Sequence, residues 1–332
     1  MSNTDKIVLT GIKPTGMPHL GNYVGALKPL IERSNTHKTF MFIADLHALN
    51  TIHDASQIRQ HTHEIAALLV ALGLNLENAV LFRQSDIDEI YQLNTLLMNI
   101  TPKGLMNRAH SYKAAMDKNT AAGLDVDAGI NMGLYTYPIL MTADILMYNS
   151  DIVPVGADQK QHVEFARDIA EYFNRTYGNT FKLPEPVIGS DTGLIPGLDG
   201  RKMSKSYDNI IPLFAPESEL KKKIMRIITD SKLPADKKDP DESTIYQLYK
   251  HFATPEQTEK FAEMFRAGGM GYGDAKKILF EQINSVLATP RAEYERLMAN
   301  PDEIDKILAA GAERARAVAH ETLARVKHAM LG

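Results

Sequence analysis

Two clusters of residues in this chain have the types and spacing needed to handle a phosphate ester. The first is the segment GIKPTGMPHLGN (residues 11–22), which follows an apolar run and opens a helical pattern. Glycines let a ligand approach the backbone closely, and a helix N-terminus offers unpaired N–H groups to an anion. His19 and Asn22 share one face of the first turn, where an imidazole can donate to charge developing on a phosphoryl group. An ordinary strand–turn–helix whose histidine is only a cap is the alternative.

The second cluster is the segment GLDGRKMSKS (residues 197–206), where two glycines precede three cations within five residues. A loop of this kind can close over a triphosphate. Lys202 and Lys205 would then neutralise the charge that builds on the leaving pyrophosphate. A solvated basic loop is the alternative, but the order Lys-Met-Ser-Lys-Ser is too particular to favour it.

A third feature is a carboxylate within an apolar helical run, residues 133–148. Tyr137, Met141, Asp144 and Tyr148 are spaced four, three and four residues apart, which predicts one shared helical face. A carboxylate on such a face needs a hydrogen-bonding partner, and a bound ligand that carries a donor would suit it. An ion pair with a buried Arg or Lys, or exposure to solvent, is the alternative for this carboxylate.

The elements that must position these residues alternate between strand-like and helix-like patterns in the first half of the chain. The predicted strands are residues 7–11, 40–45, 79–84 and 151–156, and the predicted helices are 20–34, 55–73, 86–99 and 158–176. We expect Pro29 to kink or break the first helix and Ser85 to cap the third. The alternation predicts an α/β fold with a Rossmann-like, doubly wound parallel sheet, which binds ligands at the carboxyl ends of its strands.

After about residue 210 the strand signals stop, and the remaining sequence predicts an all-helical C-terminal domain. Each predicted helix start is a pair of residues in which the second is a proline, expected in the first turn of the helix. The four pairs are Ala215-Pro216, Thr254-Pro255, Thr289-Pro290 and Asn300-Pro301. We therefore predict two domains, residues 1–210 and residues 211–332. The amphipathic last helix is expected to pack back on the body of the protein.

Composition narrows the class of protein. The chain has 332 residues, of which 44% are hydrophobic and 23% charged, as in a globular protein with a large core. It has no cysteine, which excludes disulfides, thiol catalysis and thiolate metal sites. The net charge of −4 argues mildly against nucleic acid as a partner, unless a local basic patch binds it.

Location and metal content can also be predicted from the sequence. The sequence shows neither a secretion signal nor an apolar run long enough to span a membrane, so we expect a cytoplasmic protein with no membrane partner. The histidines show no metal-binding spacing, and we predict no structural metal. In particular, His61 and His63 are expected on a solvated side of their helix.

Together, the two phosphate clusters resemble the paired "HIGH" and "KMSKS" signatures of class I aminoacyl-tRNA synthetases. The first signature is degenerate, with Asn22 as its last residue, and the second is intact at residues 202–206. The run MTADILMYNSDIVPVGADQKQH (residues 141–162) is similar to the core of the tryptophanyl branch. The resemblance extends from about residue 7 to 210 and more weakly into the C-terminal helices.

The resemblance implies a reaction and its partners. L-Tryptophan would attack ATP, supplied as its Mg²⁺ complex, to form tryptophanyl-adenylate and pyrophosphate, and the adenylate would then acylate the 3′ end of tRNA(Trp). The protein would position groups and stabilise charge, with no residue acting as a nucleophile. The resemblance further implies a homodimer with a dimerisation insert at about residues 85–150, and an anticodon-binding role for the helical domain.

The resemblance also implies roles for individual residues. Asp144 would bind the indole nitrogen, and Tyr137 and Gln159 would hold the α-amino group. The other predicted tryptophan contacts are Met141, His47, Val153, Val155 and Leu9. The predicted ATP contacts are Lys13, Pro14, Thr15, Gly21, Asn22, Gly156, Ala157, Asp158, Ile195, Lys202, Met203, Ser204, Lys205 and Ser206. The residues expected to stabilise charge during catalysis are His19, Asn22, Lys202 and Lys205.

Three positions depart from the tryptophanyl pattern, and other functions remain as alternatives. Lys13, Leu9 and Ala157 stand where glutamine, phenylalanine and glutamate are common in that branch.

A tyrosyl enzyme is the nearest alternative function, although Leu9 occupies the place of the tyrosine that binds the substrate hydroxyl in that branch. A nucleotidyltransferase with the same histidine helix start is a second alternative. A paralogue that binds tryptophan or RNA without charging tRNA is the third.

Overall fold

The computed structural model describes residues 6–188 and 195–332, and its centre is a five-stranded, all-parallel sheet. The strands are β1 (Val8–Ile12), β2 (Thr39–Ile43), β3 (Ala79–Arg83), β4 (Ile152–Val155) and β5 (Glu185–Ile188). Their order in the sheet is β3-β2-β1-β4-β5, so the order reverses at β1, and ligands of doubly wound sheets bind at this switch point. The predicted Rossmann-like α/β fold is confirmed.

The fifth strand was not predicted from the sequence. β5 has only four residues, carries Pro186 and pairs only with β4 at the edge of the sheet. Proline is tolerated on an edge strand, where it leaves few ladder bonds unmade. A strand this short and partly exposed lacks the long apolar run by which the other four were recognised.

Helices cover both faces of the sheet and make up the C-terminal part of the chain. They are α1 (Leu20–Asn22), α2 (Lys28–Ser34), α3 (Asp45–Ala48), α4 (Ala55–Ala71), α5 (Asp88–Met98), α6 (Lys103–Met106), α7 (His110–Ala121), α8 (Met132–Met147), α9 (Lys160–Tyr177), α10 (Glu217–Met225), α11 (Thr244–Tyr249), α12 (Pro255–Ala267), α13 (Tyr272–Met298) and α14 (Pro301–Leu331). Across the described ranges, no helix combines the length and the apolar character that crossing a bilayer requires.

The disturbance expected at Pro29 takes the form of a wider helical turn. Between α1 and α2, residues Tyr23–Leu27 are π-helical, and the Lys28 N–H donates to the carbonyl of Tyr23, five residues back. Proline has no N–H to bond the carbonyl four residues back, and its ring collides with that carbonyl. The wider turn places Pro29 within the first turn of α2, where a missing N–H has no cost.

The prediction that Ser85 caps a helix was wrong. The N-cap of α5 is Ile87, which makes no side-chain cap. Ser85 is instead bound to the carboxylate of Asp45: its backbone N–H donates to Oδ1 at 3.0 Å, and its hydroxyl donates to Oδ2. A long-range partner at the start of α3 therefore outcompetes the local cap.

The prediction that Thr289-Pro290 begins a helix was also wrong. Pro290 lies inside α13, a helix of 27 residues. The buried residues Ile283, Leu287 and Arg291 continue one helical face across it. Packing of that face outweighs the roughly 3 kcal/mol that an interior proline costs.

The sheet separates two apolar clusters, one on each face. Phe40 and Phe42 point to the side packed by α5, α8 and α9, whereas Met41 and Ile43 point to the side packed by α4. This alternation follows from the two-residue period of a strand. The cluster around Met41 and Ile43 continues without interruption into α10–α13, so the helical part of the chain is built directly onto one sheet face.

The last helix, α14, covers the free edge of the sheet at β3. Gly311 lies so close to this strand that a Cβ on it would be 1.7 Å from the carbonyl oxygen of Leu81. Arg314 donates from Nη1 to the carbonyl of Leu76 at 2.8 Å and from Nη2 to that of Glu77 at 3.1 Å, just before β3 begins. An uncovered edge strand offers its backbone groups to other chains, and α14 removes that opportunity.

Gly311→Ala is expected to destabilise the protein by roughly 1–3 kcal/mol, because the added methyl group must push α14 away from β3. Helix propensity alone predicts the opposite sign, a gain of about 1 kcal/mol. The matched control is Gly273→Ala in α13, where nothing lies within 4 Å of the new Cβ and a small gain is expected. Urea unfolding of both variants measures the two signs, and a gain at Gly311 would contradict the close packing.

Candidate active site

A cavity of about 1090 Å³ opens at the carboxyl ends of β1, β2 and β4. All the predicted tryptophan contacts line it: Leu9, His47, Tyr137, Met141, Asp144, Val153, Val155 and Gln159. Of the predicted ATP and catalytic residues, those that line it are Lys13, His19, Gly21, Asn22, Gly156, Ala157, Ile195, Lys202, Met203 and Ser204. Pro14, Thr15, Lys205 and Ser206 are not part of this lining, and the side chain of Asp158 lies outside the described part of the structure.

Asp144 is the buried carboxylate in the wall of this cavity. His47 Nε2 lies 3.0 Å from Oδ2, and the Gln84 amide donates to both carboxylate oxygens at 2.9 Å. Burial raises the pKa of Asp144, while the hydrogen bonds from His47 and Gln84 oppose that rise. The partners of Asp144 are thus a histidine and an amide, rather than the Arg or Lys considered from the sequence.

Only three of the four residues predicted to share a helical face do so. Tyr137, Met141 and Asp144 line the cavity, whereas Tyr148 is fully buried and stacks on Phe40 with ring centroids 4.6 Å apart. Tyr148 is the C-cap of α8, and its φ and ψ of −102° and 13° leave the helical region. The helical spacing therefore no longer applies at this residue.

The hydroxyl of Tyr137 is held between two neighbouring helices. It lies 3.0 Å from Ser111 Oγ of α7 and 3.0 Å from His162 Nε2 of α9. Burial raises the pKa of Tyr137, which keeps the phenol neutral and able to donate at neutral pH. Neither Ser111 nor His162 was singled out from the sequence.

His19 begins the helix that follows β1 and closes a reciprocal cap with Asn22. The Asn22 N–H donates to His19 Nδ1 at 3.2 Å, and the His19 N–H donates to Asn22 Oδ1 at 3.1 Å. Because Nδ1 accepts, the proton of the neutral imidazole is on Nε2. Burial, followed by the charges of Lys205 and Lys202, lowers the pKa of His19 to about 4. His19 is therefore a neutral donor at neutral pH.

Replacing Lys205 with alanine is expected to raise the pKa of His19 from about 4 toward its ordinary 6.5, because one opposing charge is removed. His251 provides an internal control, since its pKa of about 4 arises from burial and from Lys250 and Lys28 instead. An NMR titration of both imidazoles measures the effect. Equal shifts of His19 and His251, or none, would contradict the placement of Lys205.

The low pKa of His19 also links stability to pH. Between about 6.5 and about 4 the unfolded chain binds a proton at this residue that the folded chain does not. His19 therefore makes the free energy of unfolding fall as the pH drops from about 6.5 toward about 4. Above pH 6.5 the imidazole is neutral in both states, and this loss of stability is absent.

Residues 197–206, called the lysine-rich segment below, and Ile211 just beyond them are bound directly to the turn that carries His19. The Gly21 N–H donates to Met203 Sδ at 3.4 Å, and the Leu20 N–H donates to the carbonyl of Ile211 at 2.9 Å. Lys205 Nζ donates to the carbonyl of Thr15 at 3.1 Å. A Cβ on Gly21 would lie 3.0 Å from the His19 ring, so glycine permits this close approach.

Asn209 is a further residue of the site that sequence analysis missed, and it fixes the shape of the lysine-rich segment. Its Oδ1 accepts from the Ser204 N–H at 2.8 Å, and its Nδ2 donates to Asp199 Oδ1 at 2.7 Å and to the Lys202 carbonyl at 3.0 Å. Asn209 is buried, and Gly197 leaves room for it, since a Cβ there would lie 2.4 Å from its amide. No spacing pattern in the sequence marks such a residue.

The charges around the cavity favour an anionic ligand. Partial burial in the cavity wall lowers the pKa of Lys13, which directly follows β1. Lys13, His19 and Lys202 thus present donors to one region, next to the apolar pocket around Asp144. Within residues 6–188 and 195–332, no three His, Asp or Glu side chains converge as a possible metal centre. The arrangement can bind a phosphate ester beside an apolar group that carries a hydrogen-bond donor.

Comparison with known proteins agrees with this geometry. The family model described as class I tRNA synthetases (W and Y) matches residues 1–288. The tryptophan–tRNA ligase of Pseudomonas aeruginosa is 51% identical over 97% of this chain and 73% of that protein. The tryptophan–tRNA ligase of Neisseria meningitidis serogroup A is 50% identical over 98% of this chain and 97% of that protein.

A solved structure shows the same likeness. The tryptophanyl-tRNA synthetase of Campylobacter jejuni, in a crystal structure with ADP and tryptophan, superposes with a TM-score of 0.89 at 40% identity, covering 97% of this chain and 98% of that chain. The chain therefore belongs to the class I aminoacyl-tRNA synthetases for tryptophan and tyrosine, among the tryptophan–tRNA ligases.

Proposed function

We propose that this protein activates L-tryptophan with ATP to form tryptophanyl-adenylate and pyrophosphate, and then transfers the tryptophanyl group to the 3′ end of tRNA(Trp). The observation that carries the proposal is Asp144, a buried carboxylate in an apolar cavity wall at the switch point of the sheet. An aromatic amino acid whose ring carries one N–H donor fits this wall. The family relationship supports the same conclusion.

In the proposed complex, the indole packs against apolar side chains and its N–H donates to Asp144. The hydrogen bonds from His47 and Gln84 hold the carboxylate in place for this contact. Tyr137 and Gln159 lie in the same cavity and hold the α-amino group. The apolar residues that enclose the ring are Leu9, Met141, Val153 and Val155.

In the proposed activation step, a carboxylate oxygen of tryptophan forms a bond to the α-phosphorus of ATP, and the bond from that phosphorus to the bridging oxygen of pyrophosphate breaks. His19 donates from Nε2 to the phosphoryl oxygens, and Lys202 and Lys205 neutralise the leaving group. ATP enters as its Mg²⁺ complex. The remaining proposed ATP contacts are Lys13, Pro14, Thr15, Gly21, Asn22, Gly156, Ala157, Asp158, Ile195, Met203, Ser204 and Ser206.

In the proposed transfer step, a hydroxyl of the terminal tRNA ribose attacks the carbonyl carbon of the adenylate, and AMP leaves. The helical domain, residues 211–332, binds the anticodon region of the tRNA in this proposal. Near its start, Lys221, Lys222, Lys223 and Arg226 bring four cations close together on α10 and its C-terminal end, which suits an RNA backbone. A cytoplasmic location goes with the proposal, because the reaction consumes ATP and tRNA.

We further propose a homodimer that forms through the insert at about residues 85–150. The support is the number of large apolar side chains that this insert leaves exposed. They are Tyr91, Met98, Leu124, Val126 and Met132, with exposed fractions between 41% and 66%. Apolar surface concentrated in one segment of a monomer is typical of a protein–protein interface.

ATP–pyrophosphate exchange with each of the twenty amino acids tests the proposed function. We expect exchange with tryptophan alone, because the indole combines a large apolar surface for this pocket with a donor-only N–H for Asp144. Exchange with tyrosine instead would assign the protein to the tyrosyl enzymes. Absence of exchange with every amino acid, while tryptophan still binds, would indicate a paralogue without charging activity.

A further inference from the structure

His61 lies beside the turn that contains Gly16, although its sequence context predicted a solvated position. It is half-buried on α4. A Cβ built on Gly16 would lie 3.6 Å from His61 Nε2 and 3.9 Å from Lys205 Nζ, so both nitrogens face the same point above the turn. The prediction of a solvated side was wrong for His63 as well, which is half-buried and lies 3.0 Å from Asp305.

The turn at Gly16 leaves space for a ligand between these two nitrogens. Gly16 has a φ of +85°, a conformation that glycine adopts readily, and it has no Cβ to fill the space. The His61 Nδ1 is buried and has no hydrogen-bond partner among the described residues. Placing the imidazole proton on Nε2 avoids burying an unpartnered N–H and directs the donor toward Gly16.

The space above Gly16 is positively polarised. Lys205 donates to the Thr15 carbonyl and makes no ion pair within the described parts of the chain, which leaves further N–H donors of its ammonium group for a ligand. An anion that accepts from Lys205 and His61 at once suits this space, whereas a cation does not. A phosphate group has the several acceptor oxygens that such a site requires.

The position of this space relative to His19 indicates which phosphate it holds. His19 and Lys202 line the cavity that contains Asp144, while Gly16, His61 and Lys205 are outside that lining. Yet Lys205 donates to the Thr15 carbonyl, and Met203, between the two lysines, accepts from the Gly21 N–H, so both lysines stand next to the turn that carries His19. The donors therefore continue from the amino-acid pocket, past His19, to Gly16, in the direction along which a triphosphate would extend.

We propose that His61 donates a hydrogen bond from Nε2 to the terminal phosphates of ATP, and to the pyrophosphate released from it, in a subsite that it forms with Gly16 and Lys205. The proposal rests on the proposed function, since it assumes that ATP is cleaved to pyrophosphate at this site. It adds a binding residue from α4, which contributes to neither of the two signature motifs.

Pyrophosphorolysis of enzyme-bound tryptophanyl-adenylate tests the proposal, with pyrophosphate as the varied substrate. His61→Ala is expected to raise the KM for pyrophosphate roughly tenfold or more, the effect of losing one hydrogen bond to a charged group. The KM for tryptophan in ATP–pyrophosphate exchange should stay nearly unchanged. His61→Gln, whose amide can place an N–H near the position of Nε2, should recover much of the loss. His63→Ala is the matched control and should leave both constants near those of the wild type.

The outcomes separate the two proposals. If His61→Ala is active and its KM for pyrophosphate is unchanged, the assignment of His61 is overturned while the proposed function stands. An equal rise in the KM values for pyrophosphate and tryptophan would show a general structural role and would also overturn it. If the wild-type protein catalyses no exchange, the proposed function fails and the subsite fails with it.

Discussion

Asp144→Ala is expected to lower kcat/KM for tryptophan activation by roughly tenfold to a hundredfold or more. This loss is equivalent to about 1.5–3 kcal/mol or more. In the proposed complex, the indole N–H then loses its acceptor, and the ring is held by apolar contacts alone. The donors of His47 and Gln84, which both point at this carboxylate, lose their acceptor as well. A fall in stability of roughly 1–3 kcal/mol should accompany the kinetic effect.

Because the variant is also destabilised, the decisive measurement is a ratio. We expect kcat/KM for tryptophan relative to tyrosine to fall in Asp144→Ala, since only tryptophan loses a specific hydrogen bond. Asp45→Asn is the matched control: Asp45 is also buried, at the start of α3, but its carboxylate binds Ser85 outside the cavity. An unchanged ratio in Asp144→Ala, or an equal fall in both variants, would refute the role of Asp144 as the indole acceptor.

Lys202→Ala is expected to slow adenylate formation by roughly 10²–10³-fold in kcat, the effect of removing one donor that stabilises a developing charge. Lys202 lines the cavity near His19, and its backbone carbonyl is fixed by Asn209. We therefore expect it to face the phosphates of bound ATP with little reorganisation. The KM for tryptophan should change little, because the amino-acid pocket lies around Asp144.

Arg201→Ala provides a control for loss of a nearby positive charge. Arg201 is the adjacent residue, but it pairs with Asp199 and packs over the Tyr207 ring, and its side chain is 63% exposed. Rapid-quench measurement of adenylate formation should show a small effect for Arg201→Ala and a large one for Lys202→Ala. Equal effects would mean that general electrostatics, rather than direct contact, accounts for the role of Lys202.

The features that sequence analysis predicted well are those set by local spacing. His19 and Asn22 stand one turn apart, and the structure joins them in a reciprocal cap. The apolar strands and the proline-started helices at residues 255 and 301 follow from similar short-range patterns. Tyr137, Met141 and Asp144 reach the same cavity because a helix brings every third or fourth residue onto one face.

The features that sequence analysis missed depend on contacts between distant parts of the chain. Gln84 binds Asp144 across 60 residues, and the only hint was its place directly after β3. Ser85 follows a strand in the same way, yet it binds Asp45 rather than capping a helix. His61 reaches Gly16 only because α4 packs beside that turn. Local propensity contains no information about such partners, which tertiary packing decides.

The contact between Gly311 and Leu81 also has a consequence for synthesis on the ribosome. β3 is translated long before α14, so the edge of the sheet stays uncovered until the last part of the described chain has emerged. A nascent chain in this state exposes strand backbone that can pair with a neighbouring nascent chain. We therefore expect that polysomes translating this protein need a chaperone at this edge, and that a fragment ending near residue 210 aggregates even though it contains every strand that the structure describes.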